Sequence, residues 1–166
     1  MPDPAWLDNY SGQTVDELLS LAGRYRIDSL VLAFEQAIEQ KAARDGLENL
    51  SHEERVVLAI EALEREVNNG GYEQFFLNST REFAPIIVDA LSRIGCRRTA
   101  TITQKALDAL RCSELTSEGI ESAMLEESED RDQALFVCDN QYFARPEDIE
   151  GLLFAFIKAN KDRIRL

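Results

Sequence analysis

Apolar residues recur along this chain at three- and four-residue steps, the spacing that lines one side of a helix. Residues 1–13 form an N-terminal lead-in, in which Trp6 and Tyr10 stand four apart and are placed to dock as one short turn. Thr14 and Glu17 then make a Thr-x-x-Glu capping box, followed by Val15, Leu18, Leu19 and Ala22 at helical spacing. A longer helix is predicted from about Ile27 to Arg44 on Leu30, Phe34, Ala37 and Ile38, with Gly46 as its terminator. Ser51 and Glu54 form a second capping box. Val56, Val57, Ile60, Leu63 and Val67 line one side of the helix it opens, and Glu53, Glu61 and Glu64 fall largely outside that stripe. The pattern breaks at Asn68-Asn69-Gly70-Gly71 and resumes at once with Tyr72, Phe75 and Phe76, with a cap near Asn78. Two asparagines and two glycines disfavour an undisturbed helix, so the expectation is a helix, a sharp bend and a short second helix.

Pro85 suits the first turn of the next helix, whose inner face is Ile86, Ile87, Ala90, Leu91 and Ile94. Another helix is predicted from about Thr101 to Leu110, and a further one capped by Thr116 or Ser117 and carrying Ile120, Met124 and Leu125. Ala134, Leu135, Val137 and Cys138 continue the spacing, with Tyr142 and Phe143 extending it. Pro146 is expected to open the last helix, with Glu147 and Asp148 in its first turn and Leu152, Leu153, Phe156 and Ile157 inward. No run alternates with the period of a strand. The pattern therefore predicts an all-α fold: one compact multi-helix domain over residues 14–166, bent at the Asn-Asn-Gly-Gly motif.

Composition sharpens this picture. Acidic residues number 31 against 18 basic ones, a net charge of −13, while 45% of residues are hydrophobic, enough to fold a core. The charge is unevenly placed: residues 114–150 hold twelve acidic and two basic residues, a balance of −10, whereas residues 81–111 hold three and six, a balance of +3. Such a chain repels nucleic acid and anionic membranes and favours cationic partners. No apolar run approaches the roughly 20 residues of a membrane span, and the N-terminus lacks the basic region of a signal peptide. Cys96, Cys112 and Cys138 are odd in number and form no Cys-x-x-Cys pair, which fits reduced thiols and a cytoplasmic location.

Candidate chemistry is sparse. No HExxH, phosphate loop, GxSxG or GxGxxG is present. The lone His52 follows the Ser51 cap as an exposed first-turn residue, and the EF-hand pattern is absent. No catalytic residue, cofactor or metal is expected.

The stretch from Glu66 to Ser79, with Asn68, Asn69, Gly70, Gly71, Tyr72, Gln74, Phe76 and Asn78, resembles the signature of the DMP19-like family, a group of small bacterial helical proteins. The resemblance continues through Ala90-Leu91, Ile94-Gly95 and the late Leu153–Ile157 segment, and spans about residue 48 to 160. It implies an all-helical fold, often a homodimer. It also implies a DNA mimic, since one member covers a transcriptional repressor's DNA-binding site with its acidic surface.

The leading expectation is thus an acidic DNA-mimic protein that binds a basic DNA-binding protein, a repressor or nucleoid protein, without itself binding nucleic acid. Duplex DNA presents one charge per about 1.7 Å of axis, and rows of carboxylates can compete for the same basic groove. The contact residues expected are Glu118, Glu121, Glu126, Glu127, Glu129, Asp130, Asp132 and Asp139, with Glu61 and Glu64 beside them. An alternative is a helical regulatory or assembly module that shares the fold and binds through an apolar or mixed surface. A third is a small enzyme with Glu73 in a pocket at the Asn68–Gln74 bend.

Overall fold

Hydrogen bonding confirms the two capping boxes that the sequence marks. At the start of α1 (Val15–Ser20) the Glu17 N–H donates to Thr14 Oγ1 at 3.2 Å, and the Thr14 N–H to Glu17 Oε2 at 2.8 Å. At the start of α3 (His52–Leu77) the Glu54 N–H donates to Ser51 Oγ at 3.1 Å, and the Ser51 N–H to Glu54 Oε2 at 2.9 Å. Each box satisfies amide donors that a helix start leaves without partners. The computed structural model describes residues 2–166, and among them the chain is all-helical, with no strand. The remaining helices are α2 (Ile27–Asp45), α4 (Ala84–Arg93), α5 (Arg97–Ala109), α6 (Ser117–Leu125), α7 (Glu129–Phe143) and α8 (Ile149–Ala159).

Packing divides the chain into two compact units, and the division falls within α3. The first comprises the residues up to Glu61 together with Ile149–Leu166. Here α2 packs on α8, with Leu30, Phe34, Ile38, Val57, Leu153 and Ile157 fully buried. Glu54, also buried, joins three segments. Its Oε1 accepts from Lys41 Nζ and from the Arg165 N–H, each at 2.8 Å, so the C-terminus is tied to the start of α3. The lead-in is not the helical turn expected from Trp6 and Tyr10. It runs extended, exchanging backbone hydrogen bonds between Ala5 and both Arg24 and Arg26. Leu7 N–H reaches Ser29 Oγ, and Tyr10 N–H reaches Gln36 Oε1.

The second unit is Ala62–Asp148. In it α5 packs on α4 and on α7, around Tyr72, Phe75, Phe76, Ile87, Leu91 and Ala106. Two boundaries differ from the sequence reading, and one residue explains both. Glu147 does not open α8, which begins at Ile149. Its carboxylate instead accepts the Arg98 N–H at 2.6 Å, the Thr99 N–H at 3.1 Å and the Thr99 hydroxyl at 2.8 Å. A distant carboxylate thereby caps α5, which starts at Arg97 rather than near Thr101. Partial burial would raise the Glu147 pKa, but these Thr99 and Arg98 donors and the Arg98 charge hold it below the usual glutamate value.

Candidate functional site

Two features of the second unit bear on function: the bend that carries the sequence motif, and the acidic stretch of α6 and α7. The geometry of the bend decides whether the motif is a site. Gly70 and Gly71 leave helical geometry, and Gly71 takes φ +76°, ψ −178°, a region essentially restricted to glycine. The short segment after it begins at Tyr72, whose N–H donates at 2.8 Å to Asp139 Oδ1 of α7. Glu66, before the bend, accepts Gln74 Nε2 at 2.7 Å and Asn78 Nδ2 at 2.8 Å from beyond it. The Asn68 side chain hydrogen-bonds to Glu64. Tyr72 shares a 2.7 Å hydrogen bond with Thr103 Oγ1 of α5, and its ring lies edge-on to Tyr142 at 5.8 Å. Gln74 and Asn78 thus staple the two halves of α3 through Glu66, and Tyr72 docks the second half on α5 and α7, while Asn69 is exposed. Glu73, expected to mark a pocket in the small-enzyme reading, is exposed.

The expected contact carboxylates separate into two groups. Glu61 and Glu64 were expected to lie outside the apolar stripe of α3, but the stripe is wider than its apolar residues suggest. Glu61 is only 7% exposed, and Glu64 is largely buried and accepts the Tyr142 hydroxyl. Burial pushes the Glu64 pKa up to about 7, against the opposing pull of Arg145 and Asn68. Asp139 is half-buried and occupied as the Tyr72 cap. Its pKa is raised by burial, and the charge of Glu73 adds to this while the Tyr72 N–H opposes it.

The other seven, Glu118, Glu121, Glu126, Glu127, Glu129, Asp130 and Asp132, are all exposed. Two caps fix the elements that carry them. Thr116 Oγ1 accepts the Gly119 N–H to open α6, and Ser128 Oγ accepts the Arg131 N–H to open α7. Glu118 sits in one first turn and Glu129, Asp130 and Asp132 in the other, where the helix dipole favours anions. Arg131 is 8% exposed and turned inward, where Nη1 donates to the carbonyl oxygens of Ala123 and Glu126, both at 2.8 Å. That buried guanidinium locks the end of α6 to the start of α7 and holds Glu126 and Glu127 next to the acidic first turn. Glu121 pairs with Arg81 at 3.4 Å and Asp132 with Arg131 at 3.1 Å. Glu118, Glu126, Glu127, Glu129 and Asp130 have no ion-pair partner among the described residues.

A groove of about 610 Å³ opens beside this face, lined by Arg111, Cys112, Ser122, Glu126, Glu127 and Arg131 among others. Burial pushes the Cys96 thiol up to about 12, with Glu147, Glu64 and Asp148 adding to it, and raises Cys138 as well. Both therefore stay protonated and unreactive at neutral pH. Among the described residues no cluster of His, Cys, Asp and Glu is placed to hold a metal, and no helix is long and apolar enough to cross a membrane. The sequence reading missed one feature of α7. Leu135, Cys138 and Tyr142 face inward with Arg131, but Phe136, Val137 and Phe143 project from the opposite side. Two families of apolar positions are interleaved on this helix, and only the inner one shares the three- and four-residue steps of the buried residues.

In comparison with known proteins, the DMP19-like protein family matches residues 48–160. No curated protein and no solved structure matches the chain.

Proposed function

The chain belongs to the DMP19-like family, and on that footing we propose that it is a binding protein that acts as a DNA mimic, occupying the basic groove of a DNA-binding protein with the acidic face of α6 and α7. The observation that carries this reading is the set of five exposed carboxylates, Glu118, Glu126, Glu127, Glu129 and Asp130, without an ion-pair partner among the described residues. A surface that merely stays soluble commonly intersperses both signs; here unpaired carboxylates stand at two capped helix starts and in the turn from the end of α6 to the start of α7. Each carboxylate stands in for a phosphate charge rather than for a base edge, so the partner is recognised through the residues that hold the DNA backbone. Matching potentials of this kind speed encounter and exclude acidic competitors.

The test begins with capture of partners from the native host's lysate, salt-gradient elution, and competition with the captured protein's own DNA. Neutralising all five positions to Gln or Asn should weaken a confirmed basic partner by about tenfold or more at low salt, with the gap closing as salt rises. Unchanged affinity, or DNA that binds alongside rather than competing, would overturn the reading.

A further inference from the structure

The outward side of α7 carries more than charge. Phe136 is 59% exposed, Val137 46% and Phe143 48%, although they lie on a helix whose other side is firmly packed. Isolated exposed apolar residues are ordinary, but three large ones within two turns, bordered by polar groups, mark an interaction surface. At about 100° per residue, Glu129, Phe136 and Phe143 fall in one line along the helix, and Asp130 and Val137 in the line beside it. The face is therefore acidic at its first turn and mixed over the rest, where Phe136, Val137 and Phe143 flank the exposed amides of Gln133 and Asn140, about 21 Å from end to end.

We infer that this face docks a basic amphipathic helix of the partner, whose apolar side chains seat on Phe136, Val137 and Phe143 and whose Lys or Arg side chains reach Glu129, Asp130 and Asp132. The inference rests on the acidic-surface reading and adds to it the kind of element recognised. Charge selects this occupant over a second copy of the chain. A two-fold self-contact must be complementary to itself, yet the exposed residues of α7 include three carboxylates and no Lys or Arg, because Arg131 is turned inward. A cationic helix supplies what the face lacks. The apolar residues also make the contact only partly sensitive to salt, because burial of apolar area is not screened.

Three helical peptides of about 18 residues test this against the intact protein, by fluorescence anisotropy and by amide shifts in NMR. One has a Leu face and a Lys face, one has the same composition scrambled to destroy the apolar face, and one carries Glu in place of Lys. The first is expected to bind and to shift the amides of α7. The double substitution Phe136→Ser with Phe143→Ser should weaken it about tenfold at both low and high salt. Glu129→Gln with Asp130→Asn and Asp132→Asn should weaken it mainly at low salt. The Phe136 ring projects away from the packed side, whereas the Phe143 ring lies edge-on to the buried Tyr142 at 6.2 Å. Phe136→Ser alone, expected to weaken binding by a smaller factor, and thermal melts of each variant therefore separate lost docking from lost packing. Equal binding of the scrambled peptide, or no loss in the serine variant, would overturn the inference and leave the acidic-surface reading standing. Equal binding of the Glu peptide would overturn both. A dimer in light scattering that Phe136→Ser dissociates would assign the face to a second copy and overturn the inference alone.

Discussion

Replacing Gly71 with alanine should cost roughly 2–4 kcal/mol of folding stability, the sum of glycine-only backbone strain and a lost helix cap. At φ +76°, ψ −178° any side chain is strained wherever the space around it lies. Space is also lacking, because a Cβ on Gly71 would stand 2.5 Å from Asp139 Oδ2 and 2.8 Å from its Cγ. Asp139 is a mobile side chain in principle, but moving it breaks its 2.8 Å acceptance of the Tyr72 N–H and leaves the start of the second helix segment uncapped. The two effects are separable. Asp139→Ala alone should cost about 1 kcal/mol, the worth of a cap. Because it clears the space, Gly71→Ala in that background should cost about 1 kcal/mol less than in the parent, a coupling readable by a double-mutant cycle in urea. Additive costs would mean that strain alone governs the site. Gly70 gives the control: its φ of −154° is open to any residue, so Gly70→Ala meets only the Gln74 side chain and should cost less than Gly71→Ala.

This bend shows how much of the molecule the sequence discloses and where it stops. Features that depend on near neighbours were legible: both capping boxes, the apolar stripes, the break at Asn68–Gly71, and a cap of α6 at Thr116 or Ser117, which the structure gives to Thr116. What the bend is for was not legible, because its partners come from far along the chain. Nothing near Gly71 announces Asp139, and nothing near Arg97 announces Glu147 as its cap. The same limit hid the burial of Glu61 and Glu64. A helix covered on more than one side buries polar positions whose residue type suggests solvent, and only the packing of its neighbours reveals it. Of the expected acidic site, the residues on local helix starts (Glu118, Glu129, Asp130 and Asp132) are exposed, as are Glu121, Glu126 and Glu127. The members lost to the interior are those that tertiary contacts recruited. On α7 the error ran the other way: Val137 and Phe143 extend the apolar pattern in sequence and yet project outward, because helical phase assigns them to the face opposite Leu135 and Tyr142.

Glu64 turns that buried polar layer into a measurable pH dependence. Its carboxyl accepts the Tyr142 hydroxyl and hydrogen-bonds to Asn68, with Arg145 near enough to favour ionisation, but burial outweighs these and sets the pKa at about 7. In the unfolded chain it titrates at the ordinary value of about 4.3. The folded state therefore keeps a proton that the unfolded state has already released. This contribution to stability is complete below the unfolded pKa, declines as pH rises, and is gone once pH has passed the folded pKa. At 1.36 kcal/mol per pKa unit, the loss is roughly 3 kcal/mol between about pH 4 and pH 8. Other carboxylates also titrate in this range, so the informative quantity is the difference between the parent and Glu64→Gln. Glutamine keeps the shape of the protonated acid and can still accept from Tyr142, and it does not ionise. Urea denaturation should find the variant close to the parent at low pH and more stable by roughly 2–3 kcal/mol at pH 8. Removing the cation with Arg145→Met should move the parent's transition to higher pH, because the pull towards ionisation is lost. A pH-independent difference between Glu64→Gln and the parent would show that Glu64 is solvated in the folded protein. The Tyr142 and Asn68 contacts would then not hold it inside the second unit, and Glu64 would return to the set of surface carboxylates open to a cationic partner.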